Sequence, residues 1–230
     1  PPAPSDPQRF LVISEIMYHP EPNGDAEFVE LMNISPTVTL DLSGVKFTAG
    51  IDYTFAPGAT LAPLARVLLV KNTAAFESIH GTGKPAAGLF ANFSSLSNSG
   101  DSLKLDDATG STIREFTYQD TAPWPAAADG SASLVLIAPL TNPDHSLPEN
   151  WRASMAPAGN PDAEDALHFT GSPAGDDNQN GWDNLVEYAM GPAPAITHAP
   201  APEGLTFTIP RVPNADDAAI SGEVSTALGA

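Results

Sequence analysis

Cysteine is absent from this sequence of 230 residues. Without thiols the chain can form no disulfide, no zinc–thiolate site and no thiol nucleophile, so its stability must come from packing and from bound ions. Positive charge is also scarce, because nine Lys and Arg stand against 28 Asp and Glu, for a formal net charge of −19. The nine cations are scattered singly, so we expect no binding to nucleic acid or to anionic membranes.

Long apolar runs and catalytic signatures are missing as well. No run approaches the roughly 18 apolar residues that span a bilayer, so no membrane insertion is expected. Neither H-E-x-x-H nor G-x-S-x-G occurs, which removes the common zinc-protease and esterase patterns. The histidines have no ligand spacing, and we expect them to be solvated: His19, His80, His145, His168 and His198.

Short strand patterns fill the first part of the chain. Between Phe10 and about Ile137, short apolar or alternating runs are separated by Gly, Pro, Asn and Asp. The absence of a long helical pattern there favours an all-β sandwich or barrel, with one short helix over Thr73–Ile79. The pattern predicts eight strands: Phe10–Tyr18, Glu27–Asn33, Val45–Thr48, Asp52–Phe55, Arg66–Lys71, Ser102–Leu105, Thr112–Tyr118 and Ser133–Ile137.

Composition shifts divide the chain into segments. The last segment holds two predicted strands, Leu205–Pro210 and Ala219–Thr226, and because two strands alone are marginal it is expected to be the truncated start of a further β-module. The Pro- and Asn-rich stretch after the sandwich has Trp151 as its one strong anchor. The predicted segments are a linker (1–9), a β-sandwich (10–138), an extended arm (139–165), a polar loop with a short helix (166–194) and a linker with a truncated β-segment (195–230).

The polar loop carries the most specific chemical signal in the sequence. Residues 176–187 read D-D-N-Q-N-G-W-D-N-L-V-E and fit every position of the calcium-loop template D-x-[DN]-x-[DN]-G-x₅-E. Gly181 permits the sharp turn. The predicted ligands are the side-chain oxygens of Asp176, Asn178 and Asn180, the backbone carbonyl of Trp182, Asn184 directly or through a water, and the bidentate carboxylate of Glu187.

Two features set the character of this loop. Asp176 and Glu187 are the only charged residues among the expected ligands, so we expect a weak site suited to extracellular calcium. Asn184 to Met190 is predicted to be helical and to end at Gly191-Pro192, whereas the glycines and proline upstream predict no entering helix. A single-helix loop favours a stabilising role over a switch. The alternative is an Asx-rich surface turn that leads into a helix.

Glutamates on the first two strands form a second candidate site. Glu15, Glu27 and Glu30 together could perform acid/base chemistry or bind a second metal. Period-two alternation places Ile13 on the same face as Glu15, so a half-buried carboxylate with hydrogen-bond partners is the structural alternative. Sequence fixes no nucleophile beside them, and this favours the structural role.

Tryptophans supply the third candidate site. Trp124 lies between two prolines, and Trp151 follows in the predicted arm. Exposed rings would stack on sugars, but buried anchors are the commoner use of Trp, so packing is favoured.

Several spaced motifs occur in the first two-thirds of the chain. They include I-S-E-I-M-Y-H-P (13–20), A-E-F-V-E-L-M-N (26–33), L-S-N-S-G-D-S-L-K-L-D-D-A-T-G (96–110) and D-G-S-A-S-L (129–134). Together these motifs resemble the bacterial secreted branch of the lamin tail domain family. The resemblance implies an immunoglobulin-like β-sandwich. Further along, N-L-V-E-Y-A-M-G (184–191) is similar to a single EF-hand or dockerin-like calcium repeat of bacterial surface proteins.

These observations together favour a non-catalytic, extracellular structural, adhesion or interaction module of a larger bacterial surface or secreted protein, stabilised by calcium. Its expected partners are other domains of the same polypeptide, or an extracellular protein or polysaccharide. Two alternatives remain at this point. One is a polysaccharide-binding module that uses Trp124, and the other is a metal-dependent hydrolase centred on Glu15 and Glu30.

Overall fold

A computed structural model describes residues 3–127, 131–202 and 204–221. The chain divides into two compact units, Pro1–Asp165 and Ala166–Ala230. No helix in the described ranges is long and apolar enough to cross a membrane. The strands of the first unit are β1 (Leu11–Met17), β2 (Phe28–Asn33), β3 (Leu40–Asp41), β4 (Lys46–Ala49), β5 (Tyr53–Thr54), β6 (Thr60–Leu61), β7 (Arg66–Val70), β8 (Ala86–Leu89), β9 (Gly100–Asp106), β10 (Thr112–Gln119), β11 (Leu134–Leu136) and β12 (Trp151–Ala153). The helices among its described residues are α1 (Asp6–Phe10), α2 (Thr73–His80) and two 3-10 turns, Pro139–Thr141 and Pro148–Asn150.

The first unit is a two-layer β-sandwich. One sheet has six strands in the order β12-β11-β1-β2-β7-β8, antiparallel except for the parallel pair β7 and β8. The other has four strands in the order β10-β9-β4-β5, and β3 pairs separately with β6. Buried apolar side chains from both sheets form the main core, among them Ile16, Val29, Phe47, Leu103 and Phe116. The all-β sandwich expected from the strand pattern is therefore present.

The six-stranded sheet is also covered on its outer face. A second apolar cluster contains Met17 and Phe28 of the sheet and Phe76 of α2. Helix α2 begins where the Asn72 side chain accepts a hydrogen bond from the Ala75 N–H at 3.0 Å, as an N-cap residue does. Because both faces are covered, every residue of β1 and β2 is buried.

The predicted linker over residues 1–9 is wrong from Asp6 onward, where α1 begins. The Ser5 and Gln8 side chains form a capping box, and proline in the first turn costs no intrahelical hydrogen bond. The Gln8 side chain also donates to the Thr112 carbonyl at 3.0 Å. The start of the chain is therefore packed on the sandwich.

The predicted extended arm is partly a strand. Within residues 139–165, β12 pairs antiparallel with β11 and completes one edge of the six-stranded sheet. The eight predicted strands all occur with small shifts of their ends, whereas β3, β6, β8 and β12 were missed. Each missed strand has two to four residues, too few for a period-two pattern to be distinguished.

The second unit contains helix α3 (Asn184–Met190) and a hairpin of β13 (Thr197–Ala201) and β14 (Gly204–Thr208). Strand β14 lies where the strand Leu205–Pro210 was predicted. Strand β13 was not predicted, because it contains Pro200 and proline is rare within strands. In the predicted strand Ala219–Thr226, residues 219–221 are not in a strand and 222–226 lie outside the described residues. The described residues of this unit that are buried are Ala189, Pro194, Asn214 and Ala215.

Candidate functional site

Three side chains of the predicted calcium loop, those of Asn178, Asn180 and Glu187, contact one another in the second unit. Asn178 donates through Nδ2 to both carboxylate oxygens of Glu187, at 2.9 and 3.1 Å, and Asn180 Nδ2 donates to Glu187 Oε1 at 2.6 Å. Asp176 accepts from the backbone N–H groups of Asn180 at 3.0 Å and Gly181 at 2.9 Å. Gly181 has a φ of +91°, a conformation that glycine adopts without strain. The loop thus folds around Glu187 at the start of α3.

The two remaining predicted ligands are placed differently. The Asn184 side chain accepts from the Asp177 N–H at 3.1 Å and donates to the Ser172 carbonyl at 3.2 Å. The Asn184 side chain therefore forms hydrogen bonds with the preceding segment and none with Glu187. Trp182 donates its backbone N–H to Asn180 Oδ1 at 2.9 Å, and its side chain is partly exposed.

The chemistry of this loop depends on its amides. Asn178 and Asn180 present N–H donors to Glu187, and their Oδ1 atoms accept the backbone N–H groups of Asn180 at 3.2 Å and Trp182 at 2.9 Å. A half-turn about the Cβ–Cγ bond of each would present Oδ1 to a cation but would break these two hydrogen bonds. Among the described residues no group of three His, Asp or Glu side chains is arranged to hold a metal.

Glu15 and Glu30 lie directly opposite each other on β1 and β2. The pairing shifts between Ile13 and Glu15, so that Ile13 faces Leu31 across the strands and Ser14 is the extra residue of a bulge. Ile13 and Leu31 belong to the main core. The prediction that Ile13 and Glu15 share a face is therefore wrong, because the bulge turns Glu15 to the outer face of the sheet, where Glu30 lies by regular alternation with the core residue Leu31.

The Glu15 carboxyl accepts two hydrogen bonds from other groups of the protein. Its Oε1 atom accepts from the Ser133 hydroxyl at 2.5 Å and from the backbone N–H of Asn160 at 2.8 Å. Asn160 belongs to residues 154–165, which cross the outer face of the sheet and which we term the clasp. Gly159 of the clasp has a φ of +87°, and a Cβ atom there would overlap Glu15 Oε1. The close approach of the clasp to Glu15 therefore requires glycine.

Glu30 binds the clasp two residues after the position that Glu15 binds. Its Oε2 atom accepts from the backbone N–H of Asp162 at 2.6 Å. Its Oε1 atom accepts from the Ser14 hydroxyl at 2.7 Å and lies 3.1 Å from Arg66 Nε. The two glutamates thus receive N–H groups from nearby positions of one extended segment.

Burial controls the ionisation of this pair. Glu15 and Glu30 are 3% and 1% exposed. Burial, and then the neighbouring Glu30 carboxyl, raises the pKa of Glu15 to about 8. Burial also raises the pKa of Glu30, against the opposing effect of its hydrogen bonds and of Arg66. Carboxyls sealed from solvent in this way cannot contact a substrate. Their hydrogen bonds to Asn160 and Asp162 instead hold the clasp against the sheet.

Glu27 is engaged separately from this pair. Its Oε1 atom lies 2.8 Å from Lys71 Nζ, and its Oε2 atom accepts the Leu96 N–H at 2.7 Å. Burial raises the pKa of Glu27, although Lys71 acts in the opposite direction.

Trp124 and Trp151 are core residues. They are 7% and 3% exposed, with ring centroids 6.2 Å apart. The Trp151 Nε1–H group donates to the His145 carbonyl at 2.9 Å. Stacking on a sugar requires an open ring face, so Trp124 cannot serve as a sugar platform in this fold.

His145 is a buried residue that sequence reasoning placed in solvent. It is 4% exposed, and its Nε2 atom accepts the backbone N–H of Ile13 at 3.2 Å. Burial lowers the pKa of His145 to about 4, so the ring is neutral at physiological pH and the Nδ1–H donates to the Pro143 carbonyl at 3.0 Å. Its partner is 132 positions away in the sequence, and no local pattern could have revealed the contact.

The two facing sheets, the core between them and the buried anchor Trp151 define an immunoglobulin-like β-sandwich. The sequence model of the lamin tail domain family matches residues 4–120, and the chain belongs to this family of non-catalytic immunoglobulin-like domains. No curated protein matches the chain. The matched region ends before β11, β12 and the clasp, which complete the six-stranded sheet and cover its outer face.

Proposed function

We propose that this chain is a non-catalytic interaction or structural module of a larger bacterial secreted or cell-surface protein, and that calcium stabilises its second unit. The observation that carries the proposal is the contact of the Asn178 and Asn180 side chains with Glu187 near the start of α3, in a loop whose backbone N–H groups are bound by the Asp176 carboxylate. A cysteine-free, strongly acidic chain with a weakly charged calcium loop suits an extracellular medium, where divalent cations are abundant.

The second unit has a physical need for an ion. In the part of this unit that the structure describes, buried side chains are few and small, and a small unit with little core needs another source of stability. Glu187 is followed by Tyr188, whose hydroxyl oxygen lies 2.6 Å from the Leu167 carbonyl and 2.5 Å from the Asp217 carboxyl, either of which can accept its one proton. A cation bound by Glu187 would fix the start of α3 and, through Tyr188, the segments on either side of it.

The proposed ligand set follows from the loop geometry. Asp176, Asn178, Asn180 and Glu187 would supply side-chain oxygens, and Trp182 would supply its carbonyl. Asn184 would contribute through a water while its side chain stays bonded to Ser172. With two charged ligands, we expect a Kd on the order of 0.1–1 mM, the range of extracellular calcium modules.

Thermal unfolding tests the stabilising role. Calcium at ten times its Kd should stabilise the folded second unit by about 1.4 kcal/mol, and a chelator should reverse the gain. Glu187→Gln should abolish the calcium-dependent shift, because it removes the bidentate carboxylate. Asp183→Asn, the same loss of charge at a non-ligand position of the loop, should retain it. A melting temperature that does not respond to calcium in the wild-type chain would refute the role.

The two alternative functions lack accessible groups. Trp124 is buried in the core, and Glu15 and Glu30 are sealed beneath the clasp. These burials support the assignment of the first unit as a non-catalytic domain and remove the residues on which a sugar platform or a hydrolase would depend.

A further inference from the structure

Phe93 is the most exposed large apolar residue of the described chain. Its side chain is fully open to solvent, with a relative exposure of 105%. Its φ is +57°, and the preceding Asn92 has a φ of +54°. Asparagine tolerates this left-handed conformation, but a bulky aromatic residue rarely adopts it. Phe93 therefore combines an unfavourable backbone conformation with an unfavourable exposure.

The turn around Phe93 is firmly braced. Asn92 Nδ2 donates to Asp52 Oδ2 at 2.9 Å, and Ala91 N–H donates to the Asp52 carbonyl at 2.7 Å. The Ser94 hydroxyl accepts the Asp52 N–H at 2.9 Å and donates to the Ala91 carbonyl at 2.8 Å. Three hydrogen bonds thus hold residues 91–94, which we term the Phe93 turn, against Asp52, and a fourth closes the turn itself. The ring is presented by a rigid frame.

A strained residue that its surroundings hold in place is a feature of binding sites. Aromatic side chains are also the commonest anchors of protein interfaces, where they fill pockets of the partner. The Phe93 ring is not part of the core of its own unit, so it adds no apolar burial to the stability of the fold. The exposed position of the ring is explained if Phe93 becomes buried when a partner protein binds.

The charges around the ring indicate the chemistry of the partner. Residues 85–100 contain no charged side chain, and the Asp52 carboxylate is held next to the turn by Asn92. Among the described residues no Lys, Arg or His pairs with Asp52. A cation from a partner could therefore pair with it. The net charge of −19 repels acidic proteins and anionic membranes.

We propose that the Phe93 turn is a protein-docking site, in which Phe93 inserts into an apolar pocket of a partner protein whose rim carries Lys or Arg to pair with Asp52. This inference rests on the proposed role of the chain as an interaction module, and it names the surface and the partner chemistry. It is independent of calcium, because no residue of the turn belongs to the second unit.

The first measurement separates strain from packing in the free protein. Phe93→Asn should raise the melting temperature, because asparagine tolerates a positive φ. Phe93→Ala should leave it nearly unchanged, because the exposed ring makes no core contact. A large fall in melting temperature with Phe93→Ala would show that the ring is structural, and it would overturn the proposal.

The second experiment finds and measures the partner. Benzoylphenylalanine at position 93 of the full chain is photo-crosslinked in extracts and culture medium of the source cells, with the same probe at exposed Leu140 as the control site. The protein captured at position 93 but not at position 140 is identified and purified. Its Kd is then measured for wild type, Phe93→Ala, Asp52→Asn and Leu140→Ala.

We expect Phe93→Ala to weaken binding by about 30-fold or more, as the loss of an aromatic anchor does. Asp52→Asn keeps the acceptor for Asn92, so it should weaken binding by a smaller factor and reduce its salt dependence. Leu140→Ala should have no effect. The proposal is overturned if position 93 captures no more than position 140, captures only a second copy of this chain, or if Phe93→Ala leaves the Kd of every captured protein unchanged. Failure of the calcium experiments would leave these results intact, so the two proposals fail separately.

Discussion

At the scale of single residues, buried polar groups explain what the sequence pattern could not. Glu15, Glu30 and His145 occur in runs that look like half-exposed strand or loop, yet all three are buried. Each is satisfied by a group more than 100 positions away along the chain. Local periodicity carries no information on such contacts, whereas the calcium loop is local and its motif could be recognised directly.

The ionisation of Glu15 predicts that stability falls as pH rises. Its pKa is raised from 4.5 to about 8, so the folded state binds a proton that the unfolded state releases between these values. The stabilisation from this proton is complete below pH 4.5 and is lost as pH rises through 8, a change on the order of 5 kcal/mol. The raised pKa of Glu30 acts in the same direction.

Glu15→Gln removes this titration and keeps an oxygen to accept from Ser133 and Asn160. Urea unfolding at about pH 5 and about pH 8.5 should show a smaller loss of stability in the variant than in the wild type. The same change at exposed Glu149 should leave the pH dependence intact. A change in stability between these two pH values that is the same in Glu15→Gln as in the wild type would contradict the raised pKa.

At the scale of elements, the long strands were predictable and their pairing was not. β1, β2, β9 and β10 have clear alternating or apolar runs, so the sequence indicates them. The bulge at Ser14, which reverses the faces of Ile13 and Glu15, arises from the pairing of β1 with β2. Similarly, β12 gains its strand conformation from β11, and the clasp gains its path from Glu15 and Glu30. These features depend on the assembled sheet.

Substitution of Gly159 measures how closely the clasp must approach the sheet. Gly159→Ala should destabilise the first unit by about 2–4 kcal/mol, because it adds a clash with Glu15 to the cost of a positive φ. Gly110 has a φ of +84°, and a Cβ atom added there would meet no other atom within 4 Å, so Gly110→Ala should cost only about 1 kcal/mol. Chemical denaturation of both variants gives the comparison, and equal losses would mean that the clasp can move away from Glu15.

At the scale of the whole molecule, the two units differ in what stabilises them. The first unit has a large two-layer core and tightly bonded buried carboxylates. The second has few buried residues and a polar loop whose amides and carboxylates converge. The family and the sandwich could be recognised from spaced motifs. The Phe93 turn could not, because its exposure and its positive φ values appear only in the folded chain.

Calorimetric titration of calcium into the wild-type chain and two neighbouring variants tests the central claim most directly. Asp176→Asn removes the first predicted ligand, whereas Asp177→Asn makes the same change at the adjacent position, whose side chain is not in the ligand set. We predict one calcium site per wild-type chain with a Kd on the order of 0.1–1 mM, at least about tenfold weaker binding in Asp176→Asn, and wild-type affinity in Asp177→Asn. Absence of binding in the wild type, or equal affinities in all three chains, would contradict the calcium assignment.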